Sequence, residues 1–411
     1  MPSFGGTEKI FMQSKKIVDN VYSVSVLNPN LRIFDVIMKT DYGTSYNSYI
    51  VKGSEKTALI ETAHLTYFNY FIDNLKEVTN LEDIEYLIMN HNEPDHSGSI
   101  EKLLDLIPNL KIITSQAGSI YLKNITNRDI NVIVAKDGDS ISLGDKTLTF
   151  INAPFLHWPD SMFTYLKEDK ILFSCDFFGS HYCEPQMFDT CITYPNAYQT
   201  ALKGYYDAIF GPFKPYVLKG LEKIKDLEIE YAATSHGPIL SRKGLLTDVM
   251  EKYKQWSTPI VRENKVIPIF YCSAYGNTEL LAKSIASGIK EVIPTADVEI
   301  FDIIYHDMND LSALLNQSDA FLIGSPTINK DAVPPVWNLL SHVDAVNIQK
   351  RPVALFGSYG WSGEAVKNLR SRLEGLKVKL FEEDMRVVFI PTSEDLEKAK
   401  EFGKAFANTI L

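Results

Sequence analysis

The six residues His91-Asn92-Glu93-Pro94-Asp95-His96 constrain this chain more than any other stretch. They put four metal-ligating side chains, His91, Glu93, Asp95 and His96, into one short loop. The preceding run Ile84-Glu85-Tyr86-Leu87-Ile88-Met89 reads as a buried strand, and Ser97-Gly98 marks the expected start of a helix. Side chains on a loop between a strand and a helix can converge on one point without bending either element. His, Asp and Glu together are the donors of a non-haem metal centre. Two carboxylates favour harder, redox-active iron or manganese over thiolate-bound zinc.

At 411 residues the chain is long enough for two domains or three, each with its own core. Its 45% hydrophobic and 23% charged residues are ordinary for a soluble globular protein. A net charge of -11 disfavours nucleic acid or an anionic membrane as the main partner. No apolar stretch approaches the roughly 20 residues that span a bilayer. Residues 1–16 lack the apolar core of a signal peptide, so the cytoplasm is the expected location. The four cysteines, Cys175, Cys183, Cys191 and Cys272, form no C-x-x-C pair, so neither a rubredoxin-type iron site nor a zinc ribbon is encoded. They read as reduced thiols, and electrons must come from another protein or a soluble donor.

Up to about residue 255 strands and helices mix, with frequent turn signals. Ser45–Val51 and Thr57–Ile60 read as strands joined by a turn at Lys52-Gly53-Ser54, followed by a helix from Tyr67 to Val78. Further strands are expected at Lys111–Thr114, Val132–Val134, Thr147–Ile151 and Ile171–Ser174, giving an α/β sandwich with its metal loops along one edge. The pattern breaks over residues 256–264, which read as a linker. Beyond it, strands at Val266–Cys272, Val298–Ile303, Ala320–Gly324, Pro352–Gly357 and Val387–Phe389 alternate with helices, including Glu279–Val292 and Ser393–Ala407. That alternation describes a doubly wound parallel sheet.

Three more segments place ligand candidates at strand ends: His157 in Ala153–Asp160, Asp176 after Phe173-Ser174-Cys175, and His236 in Ala233–Pro238. A lone strand-end histidine is more often a structural hydrogen-bonder, but the cluster at residues 91–96 reverses those odds. His181, close behind Asp176, could orient a ligand from outside the site, against the commoner plain structural role.

In the second half, Ser273-Ala274-Tyr275-Gly276-Asn277-Thr278 follows an apolar strand and opens a helix, where backbone N–H groups and hydroxyls hold a phosphate. It is neither a Walker loop nor a G-x-G-x-x-G loop, so a monophosphate such as FMN suits it better than ATP or NAD. Ser325, Pro326, Thr327 and Asn329 follow the third strand of this half. Ser358, Tyr359, Gly360, Trp361, Ser362 and Gly363 follow the fourth. All lie at carboxyl ends of strands, where doubly wound sheets bind ligands. Tyr359 and Trp361 offer faces to an isoalloxazine ring, and the glycines allow backbone approach.

The motif at residues 91–96 resembles the H-x-H-x-D-H signature of the metallo-β-lactamase fold, with Glu93 in place of the second histidine. His157, Asp176 and His236 match its remaining ligand positions in order. Joined to a half that resembles flavodoxin, the whole chain is similar to the flavodiiron proteins. The resemblance implies a metallo-β-lactamase-like αββα sandwich over residues 1–255, a linker over 256–264 and a flavodoxin-like doubly wound sheet over 265–411. It implies two iron ions, one held by His91, Glu93 and His157 and the other by Asp95, His96 and His236, with Asp176 bridging them. This assignment requires neighbours Asp95 and His96 both to turn to one metal.

The function so implied is a soluble oxidoreductase. Electrons from an external donor (rubredoxin, a flavin reductase or a reduced deazaflavin) pass through FMN to the diiron site, which reduces O2 to water, NO to N2O, or both. In this family the flavin of one subunit serves the irons of another, so a head-to-tail homodimer, or a dimer of such dimers, is expected. The rival reading is a zinc hydrolase of the same fold with a flavodoxin-like redox sensor. Glu93 argues against it, since a carboxylate makes the metal harder and its bound water less acidic. A third reading, an electron carrier on a dead scaffold, fits poorly with a complete set of seven ligands.

Overall fold

The computed structural model describes residues 15–411, which leaves most of the amino-terminal segment considered above outside the described residues. The chain divides into two compact units, the first ending at Pro259 and the second spanning Ile260–Leu411.

The first unit is built on two sheets. In the larger, Lys15–Val18, Val21–Ser23, Tyr49–Lys52, Thr57–Ile60, Ile84–Met89, Lys111–Thr114 and Val132–Val134 lie side by side in that order. The smaller runs Ser140–Ser142, Thr147–Asn152, Met162–Leu166, Ile171–Cys175, Tyr231–Thr234, Leu240–Ser241. Because side chains alternate along a strand, each sheet feeds two cores. Tyr49, Val51, Ala58, Ile60, Tyr86 and Ile88 meet Leu148, Phe150, Met162, Leu166, Ile171 and Phe173 between the sheets. Their neighbours Ile50, Leu59, Leu87 and Met89 face outward onto helices Phe68–Val78, Ile100–Leu106 and Gln116–Thr126. Phe163, Tyr165 and Leu172 do the same beneath helices Pro195–Tyr205, Lys214–Ile224 and Leu246–Ser257. The result is an αββα sandwich.

Three details differ from the expectations. The stretch read as one strand over 45–51 is two, Thr44–Tyr46 pairing with Val26–Asn28, and Tyr49–Lys52 in the large sheet. Asn47 makes the break. Its backbone N–H donates to Ser235 O (2.9 Å), and its Nδ2 donates to Thr234 O (2.8 Å) and Gly237 O (2.9 Å). Those bonds, each worth about 1 kcal/mol net, tie the chain to the loop that carries His236. Second, the helical turn after the motif begins at Pro94 and ends at Ser97, so Asp95 and His96 are helical rather than looped. Proline at the first helical position is pre-set for that turn. Third, the helix Leu246–Ser257 carries through Trp256, where the sequence pattern had broken.

The second unit is a five-stranded parallel sheet in the order Ile300–Asp302, Ile269–Tyr271, Phe321–Pro326, Pro352–Tyr359, Lys379–Val388. Helices Asn277–Val292 and Ser393–Asn408 pack on one face, and Met308–Gln317, Pro334–Ser341 and Glu364–Gly375 on the other. The last strand begins eight residues before its expected start at Val387, because exposed Glu382 and Glu383 hide its apolar pattern. Order reverses between the first and third strands, which leaves a crevice beyond their carboxyl ends.

Candidate metal centre

The carboxyl ends of five strands in the first unit deliver polar groups to one place. His91 and the turn beginning at Glu93 follow Ile84–Met89, and His157 follows Thr147–Asn152. Asp176 ends Ile171–Cys175, His236 follows Tyr231–Thr234, and Glu61 follows Thr57–Ile60. All seven residues singled out in the sequence meet there.

They meet as two sets that share one carboxylate. His91 Nε2 lies 3.0 Å from Glu93 Oε2, and His157 Nε2 lies 3.2 Å from the same oxygen. Asp176 Oδ2 faces that set, 3.4 Å from His157 Nε2 and 3.7 Å from His91 Nε2. Its other oxygen faces the second set, 3.3 Å from His96 Nε2 and 3.4 Å from His236 Nε2. Asp95 completes that set, with Oδ1 3.3 Å from His96 Nε2 and Oδ2 3.0 Å from His236 Nε2. The helical turn at Pro94–Ser97 is what lets consecutive Asp95 and His96 serve the same set.

Within each set the candidate ligand atoms all lie within 4.8 Å of one another. Both oxygens of Asp95, Asp176 Oδ1 and His96 Nε2 are buried with no hydrogen-bond partner. An orphaned buried polar atom costs about 1–3 kcal/mol, and more where it is charged. The acids make the same demand on the imidazoles. Burial works against a charged ring at His91, His96, His157 and His236, yet the facing carboxylates raise all four, His96 to about 10. A site that pulls protons onto four buried rings is a site built for cations. His181 contrasts: burial, then the charge at His236, pushes it well below its ordinary value, and it is not among the clustered ligand atoms.

Groups behind the ligands orient them. Asp160 Oδ1 lies 3.2 Å from His91 Nδ1, and its other oxygen accepts from Asn92 N (2.8 Å) and Nδ2 (2.9 Å). His236 Nδ1 donates to Ser45 O (2.6 Å), which turns the lone pair of Nε2 into the site. Glu61 accepts from Asn90 N (2.8 Å) and sits 3.9 Å from His96 Nδ1, while burial raises its carboxyl to about 7. His181 Nδ1 bonds Thr44 Oγ1 (2.9 Å), and its ring packs on Phe34 at 4.4 Å. Phe34 belongs to the hairpin of Ile33–Phe34 with Met38–Lys39, whose Asp35 carboxyl bonds Glu93 and, by burial and that neighbouring charge, rises to about 6. Sequence reasoning missed Asp160, Glu61 and Asp35. An acid directly after a strand that neighbours the motif strand was the available signal for Glu61. Glu93 and His157 keep 15% and 12% side-chain exposure against 6% or less for the other five, so their side of the site is the more accessible one.

In the second unit the proposed cofactor residues lie at the carboxyl ends of the first, third and fourth strands and in the loops beyond. Ser325, Pro326, Ser358 and Tyr359, expected after the strands, are their last residues, because the parallel pairing of Ser325 with Gly357 and Pro326 with Ser358 carries both strands further. Gly276, at φ +83°, caps the helix Asn277–Val292 and turns its free N–H groups outward. Ser273 Oγ accepts from Glu279 N (3.4 Å), and Thr278 Oγ1 bonds Ser358 Oγ (2.9 Å), tying the first loop to the fourth strand. Thr327 Oγ1 accepts from Ala365 N (3.3 Å). Ser362 Oγ is buried without a partner, as a group awaiting a ligand would be. Tyr275 and Trp361 stand 92% and 84% exposed, which suits rings that flank a flat aromatic cofactor rather than a core. Residues and loop chemistry fit FMN.

A two-set metal seat on a lactamase-like sandwich, followed by a flavodoxin-like unit, defines a metal-dependent flavoprotein. Residues 44–237 match the ODP family beta lactamase and residues 269–403 match Flavodoxin. The chain is 54% identical over 97% of its length to the flavo-diiron protein FprA2 of Clostridium acetobutylicum, all of which is covered. It is 34% identical to the nitric oxide reductase of Moorella thermoacetica, covering 97% of this chain and 99% of that one. The solved rubredoxin oxygen:oxidoreductase of Desulfovibrio gigas superposes with a TM-score of 0.70 at 29% identity, covering 97% and 98% of the two chains. The chain belongs to the flavo-diiron protein family and is an oxidoreductase.

Replacing Asp160→Asn removes the charge behind His91 while preserving shape. Metal affinity at the His91 set should fall roughly 10–100-fold, read by competition with a chelator. Unchanged affinity would mean that His91 is not oriented through Asp160.

Proposed function

We propose that this chain reduces O2 to water, NO to N2O, or both, with electrons from an external donor. Its cofactors are a pair of iron ions and FMN. The carrying observation is the sharing of Asp176 between two buried donor sets, in a chain whose second unit has the flavodoxin fold. When bound, the irons supply redox-active cations with open positions, and FMN supplies a reserve of electrons.

The chain's own residues do the positioning. His91, Glu93 and His157 would hold one iron, Asp95, His96 and His236 the other, and Asp176 would span them. Two seats sharing one carboxylate would lie close enough together for two NO molecules, or both ends of O2, to meet. Phe210 and Phe213, 6.2 and 6.4 Å from the His157 ring, wall the more accessible side with apolar surface, which limits water without excluding small gases. Ser273–Thr278 would hold the FMN phosphate, with Ser325, Pro326, Thr327, Asn329 and Ser358–Gly363 around the ring.

The donor we propose is rubredoxin, a flavin reductase or a reduced deazaflavin. The domain division proposed is 1–255, a linker over 256–264, and 265–411. No helix among the described residues is long and apolar enough to cross a membrane, and a cytoplasmic location is part of the proposal. A head-to-tail dimer, alone or paired, would bring the flavin of one chain to the irons of another. Exposed apolar residues on each unit support a covering partner: Val36 and Ile37, 91% and 85% exposed on the hairpin beside Glu93, and Trp361 on the flavin loops. The hydrolase alternative loses ground because the relatives are oxidoreductases.

The iron-loaded, FMN-loaded protein, reduced without air and given each gas separately, should consume O2 without accumulating peroxide, or convert NO to N2O. Consumption of neither gas would overturn the reading, and zinc content with ester turnover would favour hydrolysis. On dilution, activity per chain should fall as dimers separate. Constant activity into a demonstrated monomer regime would contradict the dimer.

A further inference from the structure

Two lines of oxidisable rings leave the metal centre, one from each donor set. On the His91 side, the indole of Trp158 meets the His91 imidazole edge-on at 5.0 Å and lies 6.2 Å from His157. Tyr121 follows, 6.2 Å beyond Trp158, half-buried on the helix Gln116–Thr126. On the other side, Tyr46 is buried 5.9 Å from His236, and half-buried Tyr67 stands 5.3 Å beyond it. His64 lies 5.9 Å from both tyrosines. A third phenol, Tyr205, is 6.1 Å from His236, but it is enclosed and its other close rings are His181 and Phe210. It leads nowhere that one-electron oxidation can follow, since phenylalanine is not oxidised under such conditions.

We propose that these two lines are exits for oxidising equivalents. The inference rests on the O2-reducing reading above. Reducing O2 to water takes four electrons, and a reduced metal pair whose flavin is already oxidised can give only two. Each line supplies one of the missing pair. Trp158 and Tyr46 give an electron toward the metals and are refilled from Tyr121 and Tyr67. Each outer phenol loses its O–H proton to solvent and becomes a phenoxyl radical. In sum, O2, two electrons from the metals, two phenols and two further protons give two waters and two phenoxyl radicals. A soluble thiol can then return a hydrogen atom to each half-buried outer ring. The lines protect the ligands and Cys175, whose thiol is clustered with His96 and Asp176.

The test uses the FMN protein loaded without air with ferrous iron, its flavin left oxidised. It is mixed with O2, frozen and read by electron paramagnetic resonance, alongside a ferric sample mixed with hydrogen peroxide. In the peroxide arm both electrons must come from the rings: H2O2 and two phenols give two waters and two phenoxyl radicals. The expected result is an aromatic radical signal approaching one per line. Tyr121→Phe should convert part of it from tyrosyl to tryptophanyl shape, and Tyr67→Phe should diminish the tyrosyl part. The double variant Trp158→Phe with Tyr46→Phe should lose most of the signal and show new oxidation of His91, His236 and Cys175 by peptide mapping. Iron and flavin content, measured on each variant, certify the fold. If O2 is not consumed, the reductase reading fails and the peroxide arm alone decides. Oxidant consumed without aromatic radicals, or yields and oxidation maps that the variants leave unchanged, would overturn the proposal.

Discussion

The first unit is organised around one carboxylate that two sets of donors share. Asp176 is buried at the end of Ile171–Cys175, with one oxygen toward His91, Glu93 and His157 and the other toward Asp95, His96 and His236. Taking several carboxylates out of water costs several kcal/mol each unless positive charge accompanies them. That demand explains the four raised imidazoles and the orphaned oxygens together. The backbone bends to meet it: Asp35, Glu61, Phe155, Cys175 and Phe178, all beside the site, take positive φ without being glycine. Such conformations cost on the order of 1–3 kcal/mol each and persist where the surrounding structure over-determines them.

The sandwich is what over-determines them. Both sheets end their strands at the same edge, and cores on each face leave the strands no freedom to slide, because a one-residue slip would turn every buried side chain outward. Bonds from Asn47 and Ser45 to the loop of His236 then link the sheets at the site. The second unit follows the same logic with other chemistry. Its parallel sheet gathers three loops at one end, where N–H groups, hydroxyls and aromatic faces suit a phosphorylated flat ring.

Much of this was legible in the chain because chemistry and periodicity agreed. Seven ligand candidates lie at strand ends, and strand ends are where the α/β pattern placed them. The break at Asn47 was not legible, since its cause is a pair of carbonyls nearly two hundred residues away. Nor were Asp160 and Asp35, which act through the geometry of neighbours instead of any motif spacing. The early start of the fifth strand of the second unit was hidden by polar edge residues, where alternation carries no signal. The way Asp95 and His96 come to face the same set was not legible either, since the single helical turn that carries them is too short to show periodicity.

Anomalous diffraction at the iron edge, from crystals of the iron-loaded protein, tests the central claim most directly. The account predicts two iron peaks, one beside each oxygen of Asp176, the first among His91, Glu93 and His157 and the second among Asp95, His96 and His236. A single peak, or scattering that appears only at the zinc edge, would contradict it.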